Sequence, residues 1–318
     1  MVFYNNMKVK LLTYNNRAGI VIDAMLLQNL IQKNVSENTD ILFIEHLGKN
    51  WAVPNYVADE TGDVGIWIQN PRYDYLQNFK KNIWFVNEEW AGADDLKKID
   101  QFDYIVVKTE YARKLLEPIR PDVVCLPLLS YDFYEPNIVK EPKFLHFNGR
   151  AIQKNTEAIM RQKVPITVVD TTKRFVPPGN VDYITQYMIK RDIKKMLNRH
   201  SVHICPSLYE SWGHYLYEGL STGAEIICSD IPSFTEHLDP SLVRIIPTVE
   251  KIDLDYHYCK DNLEGTFPLR KAFFLDEEKL TNVLENFEPI GREQERRDMF
   301  HDIMLKNSNR LIEFFKGI

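Results

Sequence analysis

Short, unbroken apolar runs recur along the first part of the chain: Val9 to Tyr14, Ile41 to Ile44, Val64 to Ile68, Ile83 to Val86, Tyr104 to Val107 and Val123 to Leu126. They are rich in β-branched residues and rarely alternate with polar ones. A strand with one wet face alternates; an unbroken run suits a parallel strand covered on both faces. Helical patterns intervene at Ile20 to Ile31, Asp74 to Phe79 and Glu110 to Glu117. Strand, short loop and helix in repetition predict an α/β chain whose first half is a Rossmann-like domain.

The pattern stops and then restarts. Leu129 to Lys143 has two prolines and little periodicity, and reads as an interdomain linker. Phe144 to Phe147 opens a second series of strands, continued by Ile166 to Val169, Val181 to Thr185, Val202 to Cys205, Glu225 to Cys228 and Val243 to Ile246. Helices are predicted into Met160, over Lys190 to His200, over Asp276 to Phe287 and over Gly291 to Phe315, the last long enough to break in two. The polar text from Asp253 to Lys271 suggests no element. With 318 residues, 44% of them hydrophobic, the chain can bury one or two cores of ordinary size, and two domains are the natural expectation.

The net charge of −6 and pI near 5.8 argue against a dominant nucleic-acid surface. No run of transmembrane length occurs and Met1 to Lys10 lacks a signal-peptide core, so the expectation is a soluble cytoplasmic protein. Cys125, Cys205 and Cys228 fall inside apolar runs and read as buried thiols. Lys190 to His200 is a basic amphipathic helix, read either as a solvated face or as a weak peripheral contact with an anionic membrane.

The chemistry concentrates in Pro206 to Gly223, between two buried strands. A loop with Glu210 leads through Gly213 into a helix that carries Glu218 and closes at Gly223, a residue type suited to a C-cap. A glycine at a helix entrance offers backbone N–H groups and a positive dipole end to an anion. Carboxylates beside that anion take hydroxyls as partners, and phosphate with hydroxyls suggests a nucleotide-sugar. Asn148-Gly149-Arg150 to Lys154 places two cations at another strand-to-helix turn, again a phosphate site in charge and geometry. Taken singly, Arg150 and Lys154 read as solvated turn residues, Glu210 as a cap or loop ion pair, and Glu218 as a solvated helix position. Trp212, Tyr215 and Tyr217 read either as core aromatics or as a sugar platform, with at most one tyrosine facing the site. In the first half, Asn70-Pro71-Arg72 and Asn87-Glu88-Glu89 follow strands on the ligand side of the sheet; they read equally as helix caps. Asp253-Leu254-Asp255 is a D-x-D triplet in an irregular acidic region, and no metal site is expected from it.

The ordered set resembles the retaining GT-B glycosyltransferases, and most of all family four of that group. It comprises Pro206-Ser207 with Glu210 and Glu218 eight positions apart, then Ser229-Asp230-Ile231-Pro232, preceded by Gly149-Arg150 and Lys154. The resemblance covers about Phe144 to Leu238 by motif and the first half by layout. It implies two Rossmann-like domains facing a central cleft: residues 1–138 on the acceptor side, 139–300 on the donor side, and a final helix, 301–318, crossing back. It implies that Arg150 and Lys154 hold a donor diphosphate, that Glu210 binds the transferred sugar, and that Glu218 takes ribose hydroxyls. Backbone around Trp212, Gly213 and His214 would face sugar and phosphate, Tyr215 would line the site, Gln186 and Tyr187 would meet the base, and Gly19 would approach the diphosphate. Asn16, Asn70, Arg72, Asn87 and Glu88 would line the acceptor side. His214 stands where the family often has an aliphatic residue, and Asn87 where many relatives place a histidine.

The implied activity is transfer of a hexosyl or pentosyl unit, with retention and without a metal or other cofactor. The donor would be UDP- or GDP-linked, and the acceptor a hydroxyl of a glycan, glycoprotein or glycolipid. Two other readings remain open: a nucleotide-sugar epimerase or sugar phosphorylase on the same fold, and a non-catalytic nucleotide-sugar-binding protein.

Overall fold

The computed structural model describes residues 6–14, 19–44, 60–252, 269 and 271–318. Asn16 and the Asp253-Leu254-Asp255 triplet lie outside the described residues. The described residues divide into two compact units. Unit 1 holds those up to Leu129, with Leu269 and Met304–Ile318; unit 2 holds those from Ser130 to Ile252 and from Lys271 to Ile303.

Unit 1 is a six-stranded parallel sheet in the order β2-β1-β3-β4-β5-β6. Its strands are β1 (Val9–Thr13), β2 (Thr39–Phe43), β3 (Gly62–Ile68), β4 (Phe79–Phe85), β5 (Tyr104–Val107) and β6 (Val124–Cys125). Helices α1 (Gly19–Asn34), α2 (Ala93–Leu96) and α3 (Glu110–Leu116) fall between them, and a 3-10 turn covers Tyr73–Asn78 in place of the short helix expected there. β1 and most of β3, β4 and β5 are buried, in keeping with their unbroken apolar runs. The Phe79 ring lies across β3, where a Cβ on Gly65 would come within 2.7 Å of it. Thr109 caps α3, accepting from the Ala112 N–H at 3.0 Å.

Unit 2 repeats the theme in the order β12-β11-β10-β7-β8-β9, all neighbours parallel. The strands are β7 (Glu141–Gly149), β8 (Ile166–Asp170), β9 (Val181–Ile184), β10 (His200–Cys205), β11 (Glu225–Ser229) and β12 (Arg244–Ile246). Between them run α4 (Thr156–Met160), α5 (Lys190–Arg199), α6 (His214–Ser221) and α7 (Pro232–Thr235), followed by α8 (Glu277–Glu285). Its core joins Ile166, Val168, Val202, Ile204 and Ile227 of the sheet to Ala158 and Ile159 of α4 and Leu280 and Leu284 of α8.

Three departures from the sequence reading have physical causes. β13 (Thr248–Ile252) and β14 (Lys271–Leu275) form an antiparallel pair flanking the polar segment that suggested no element; their partner is each other, across 18 residues, so neither shows in local periodicity. Residues 130–140 are built into unit 2: Phe133 is buried, its N–H donates to Ser221 Oγ at 3.0 Å, and the Asn198 amide bonds both the Phe133 carbonyl and the Glu135 N–H. Prolines there end periodicity without freeing the chain. The final helix, α9 (Glu293–Lys316), is continuous over 24 residues, with neither proline nor glycine inside it to break it. It belongs to unit 2 as far as Ile303 and to unit 1 from Met304. In unit 1 the Asn307 amide donates to the Leu128 carbonyl, Arg310 donates to the Cys125 carbonyl, and Phe315 stacks on Phe85.

Candidate functional site

In an open parallel sheet, ligands collect at the carboxyl ends of strands where the strand order reverses. In unit 2 the chain runs outward from β7 to β8 and β9, then returns to lay β10 on the other side of β7. The turns leaving β7 and β10 are Gly149 to Asn155 and Pro206 to Gly213, the two stretches the sequence singled out. They meet directly: the Leu208 N–H donates to the Gln153 carbonyl at 2.8 Å.

The β7 turn is shaped by its backbone. Gly149 and Asn155 have φ of 71° and 53°, so the chain doubles back between them. Asn148 is buried beneath it; in the amide orientation that satisfies both ends it donates to the Ala151 carbonyl and accepts from Arg174 Nη2 and Thr156 Oγ1. This turn exposes Arg150, which makes no hydrogen bond or ion pair with a described residue. Lys154 is half-buried, and its ammonium sits 3.9 Å over the Tyr215 ring.

In the β10 turn, Ser207 is buried and its hydroxyl lies 2.6 Å from the Tyr215 hydroxyl and 3.1 Å from Glu210 Oε1. Gly213 caps α6 at φ 86°, and any Cβ there would overlap the Phe234 ring. Trp212 is core: it stacks on Tyr217 at 4.3 Å between ring centroids, and its indole N–H donates to Ser130 Oγ at 3.0 Å. The same hydroxyl lies 3.0 Å from Nδ1 of His214, the first residue of α6. Tyr217 also turns inward, donating to the Ser233 carbonyl at 2.9 Å. Of the two helix tyrosines, only Tyr215 reaches Lys154 and Ser207.

Electrostatics bind these side chains into one group. Burial pushes the Lys154 ammonium below its ordinary pKa, and the negative charges of Glu210 and Glu218 pull it partly back. Glu218 is 8% exposed on α6, not solvated; burial raises its pKa, opposed by His214, Lys154 and Lys190. Burial, then the Glu218 charge, raises the phenol pKa of Tyr131, whose ring is 3.5 Å from the Lys190 ammonium. Lys154 forms no ion pair with a described residue. A half-buried cation and two carboxylates thus share one strand end without neutralising one another in contact, an arrangement that suits a ligand bearing both anionic oxygens and hydroxyls.

Gln186 and Tyr187 lie on the loop after β9, two strands from β7, exposed and without a hydrogen bond to the Glu210 group. Ser130, Tyr131 and Lys190 were not foreseen; the first two stand in the stretch that read as linker, and Lys190 in a run of helix cations.

In unit 1 the strand order reverses between β1 and β3. Gly19 is the exposed first residue of α1. Asn70 and Arg72 follow β3, half-buried, with the Arg72 guanidinium 5.9 Å from the Tyr75 ring centroid. Asn87 and Glu88 follow β4 and are buried. Asn87 belongs to a relay that the sequence did not disclose. Lys108, 2% exposed after β5, pairs with Asp23 of α1 at 2.9 Å and donates to Asn87 Oδ1 at 2.7 Å. An ammonium only donates, so this fixes the Asn87 amide, whose Nδ2 donates to Gln69 Oε1 at 3.1 Å. Gln69 has φ 70°, its N–H bonds the Phe85 carbonyl, and its own carbonyl accepts from the Trp84 indole.

Among the described residues no group of three or more His, Cys, Asp and Glu could hold a metal ion, and no helix is long and apolar enough to cross a membrane. No protein-family model matches the sequence, and no curated protein matches it. Solved structures do. WaaG, a glycosyltransferase involved in lipopolysaccharide biosynthesis, superposes over 98% of this chain and 100% of its own, with a TM-score of 0.60 at 12% identity. Anabaena Alr3699/HepE in complex with UDP-glucose gives 0.61 over 98% of this chain and 97% of its own, at 10% identity. A glycosyltransferase from Rickettsia africae gives 0.63 over 98% and 99%, at 10% identity. The chain has the GT-B fold. The GT-B likeness spans both six-stranded sheets, and it was expected from the resemblance around Glu210 and Glu218.

Proposed function

We propose that the protein is a glycosyltransferase that moves a sugar from a nucleotide-sugar donor to an acceptor hydroxyl. The observation that carries this reading is the meeting, at the switch point of unit 2, of Lys154 and Glu210 on two turns joined by a backbone hydrogen bond, with Glu218 on the helix that follows. Fold neighbours that include a UDP-glucose complex support it. Arg150, Lys154 and the N-terminus of α6 hold the diphosphate and stabilise it as it leaves, which is where negative charge develops. Glu210 accepts from hydroxyls of the transferred sugar. Glu218 accepts from the ribose hydroxyls, and His214 and Gly213 line the passage between sugar and phosphate. Tyr215 holds Lys154 from beneath. Gln186 and Tyr187 meet the base.

Transfer proceeds with retention: the acceptor hydroxyl attacks on the face the diphosphate leaves, and a donor phosphate oxygen takes its proton. No carboxylate serves as general base and no metal is needed. The acceptor is a hydroxyl of a glycan, glycoprotein or glycolipid, met by Asn16, Asn70, Arg72, Asn87 and Glu88. The reaction belongs to glycan biosynthesis in the cytoplasm.

The test is calorimetric titration with UDP, GDP, UDP-glucose and GDP-mannose, followed by release of nucleotide from the donor that binds. Binding of one nucleotide series and slow donor hydrolysis, both lost in Glu218→Ala, are expected. Absence of binding across the panel overturns the reading. Isomerised donor with no acceptor present would assign an epimerase instead, and binding without any turnover a non-catalytic protein.

A further inference from the structure

One region of unit 2 breaks the chain's charge balance. Residues 171–199 carry seven Lys and Arg against two Asp, a net of +5 in a chain whose net charge is −6. The same region holds three of the large hydrophobic side chains most open to solvent: Val176 at 95%, Tyr187 at 66% and Ile189 at 51% exposure. Val176 stands on the loop entering β9, and Tyr187 and Ile189 on the loop leaving it. β9 is the last strand of its sheet, so one edge of it has no strand beside it.

The cations are not all spoken for. Arg174 reaches Asp170 at 3.7 Å, Lys194 reaches Glu135 at 3.0 Å, Arg191 lies 3.5 Å from Asp192 on its own helix, and Arg199 pairs with Glu141. Lys173, Lys190 and Lys195 form no ion pair with a described residue, and Lys190 instead lies over the Tyr131 ring. Lys173 and Lys195 are exposed. α5 is amphipathic, with Leu197 buried and Ile193 and Met196 packed on the core beneath, so its cations are turned outward.

We propose that the β9 edge, with Val176 and Ile189 as apolar contacts and Lys173, Arg191 and Lys195 as the charged rim, docks on an anionic lipid surface. A soluble polyanion would be served by the cations alone and would leave Val176 and Ile189 wet. A bilayer interface takes both: aliphatic side chains enter below the headgroups, while Lys and Arg stay at the anionic phosphates. The contact is peripheral and reversible, held by a few side chains, and it falls as salt screens the surface potential.

Flotation of the full chain with vesicles of phosphatidylcholine, alone or with roughly a third of phosphatidylglycerol, tests it. Binding is expected to the mixed vesicles only, and to weaken at high salt. Val176→Asp with Ile189→Asp is expected to abolish it. Lys173→Glu and Lys195→Glu are each expected to weaken it by about fivefold or more. These positions lie outside the nucleotide-sugar site, so calorimetric binding of UDP-glucose by each variant shows that unit 2 is folded and separates this proposal from that of the donor site. No binding to mixed vesicles, equal binding to neutral ones, or a Val176→Asp/Ile189→Asp variant that binds like the parent overturns the proposal. So does a change in sedimentation of that variant without vesicle binding by the parent, which would make the edge a contact between copies of this chain.

Discussion

The two units share a plan, six parallel strands with one reversal of order, yet each places a lysine after a strand to different effect. Lys108 in unit 1 is answered by Asp23 at 2.9 Å and Asn87 at 2.7 Å, so its charge is consumed inside the protein. Lys154 in unit 2 rests on an aromatic ring and has carboxylates in its electrostatic field but no ion pair with a described residue. A lysine closed by partners holds structure, whereas one left open at a strand end has its charge available to a ligand. The comparison can be broken by removing each charge in turn.

The largest effect is expected from Lys108→Met. It takes the ammonium partner from the buried Asp23 carboxylate and should cost about 3–5 kcal/mol of unfolding free energy in a urea titration. Adding Asp23→Leu should recover most of that loss, since an apolar pair replaces a buried ion pair at little cost. Lys154→Met should leave stability unchanged or slightly raised, because it removes a cation that burial disfavours. Donor turnover should instead fall by about 100-fold or more, the usual scale for losing a group that stabilises a leaving charge. If Lys154→Met unfolds the protein and Lys108→Met does not, the contrast is wrong.

Acid separates the units further. All described histidines belong to unit 2, and burial lowers the pKa of His146 to about 4 and that of His203 to about 3. His146 is neutral in the fold, lying between the Ile204 carbonyl and the Thr156 hydroxyl. A base whose folded pKa is depressed favours folding fully above its unfolded pKa of about 6.5 and loses that contribution as pH falls. Unit 2 should therefore weaken between about pH 6.5 and pH 4, by on the order of a few kcal/mol. Hydrogen exchange read by peptide should show its strands opening at higher pH than those of unit 1. The smallest effect is that of Tyr215→Phe, which keeps the ring under Lys154 and loses the hydroxyl that bonds Ser207, worth about 1 kcal/mol. Donor affinity should change by no more than about tenfold, whereas Tyr215→Ala should approach the loss seen for Lys154→Met.

The sequence made the strands legible because an unbroken apolar run has few alternatives to a covered parallel strand. It made the glycine turns at Gly149 and Gly213 legible for a similar reason, since only a few residue types accept those backbone angles. What it concealed was long-range. Asp23 and Lys108 are 85 positions apart, and nothing near either one announces the other. Ser130 and Tyr131 sat in a proline-flanked stretch whose lack of periodicity hid its attachment to Asn198 and Ser221. The β13 and β14 arms, too, pair with each other and with no neighbour in sequence. Periodicity reports a residue's own element, and the partners of Glu218 or Asn87 come from several.

The bond from the Leu208 N–H to the Gln153 carbonyl bears on how freely this chain can change. Being main chain to main chain, it is indifferent to which side chains stand at the two positions. Nearly every substitution at 153 or 208 leaves the junction of the two turns in place, proline at 208 being the exception because it removes the donor. Mutational drift can therefore rewrite the letters around the junction while its geometry persists. Recognition by letters fades under such drift sooner than recognition by shape, and a chain sharing about one residue in ten with WaaG can still lay its backbone along the same path.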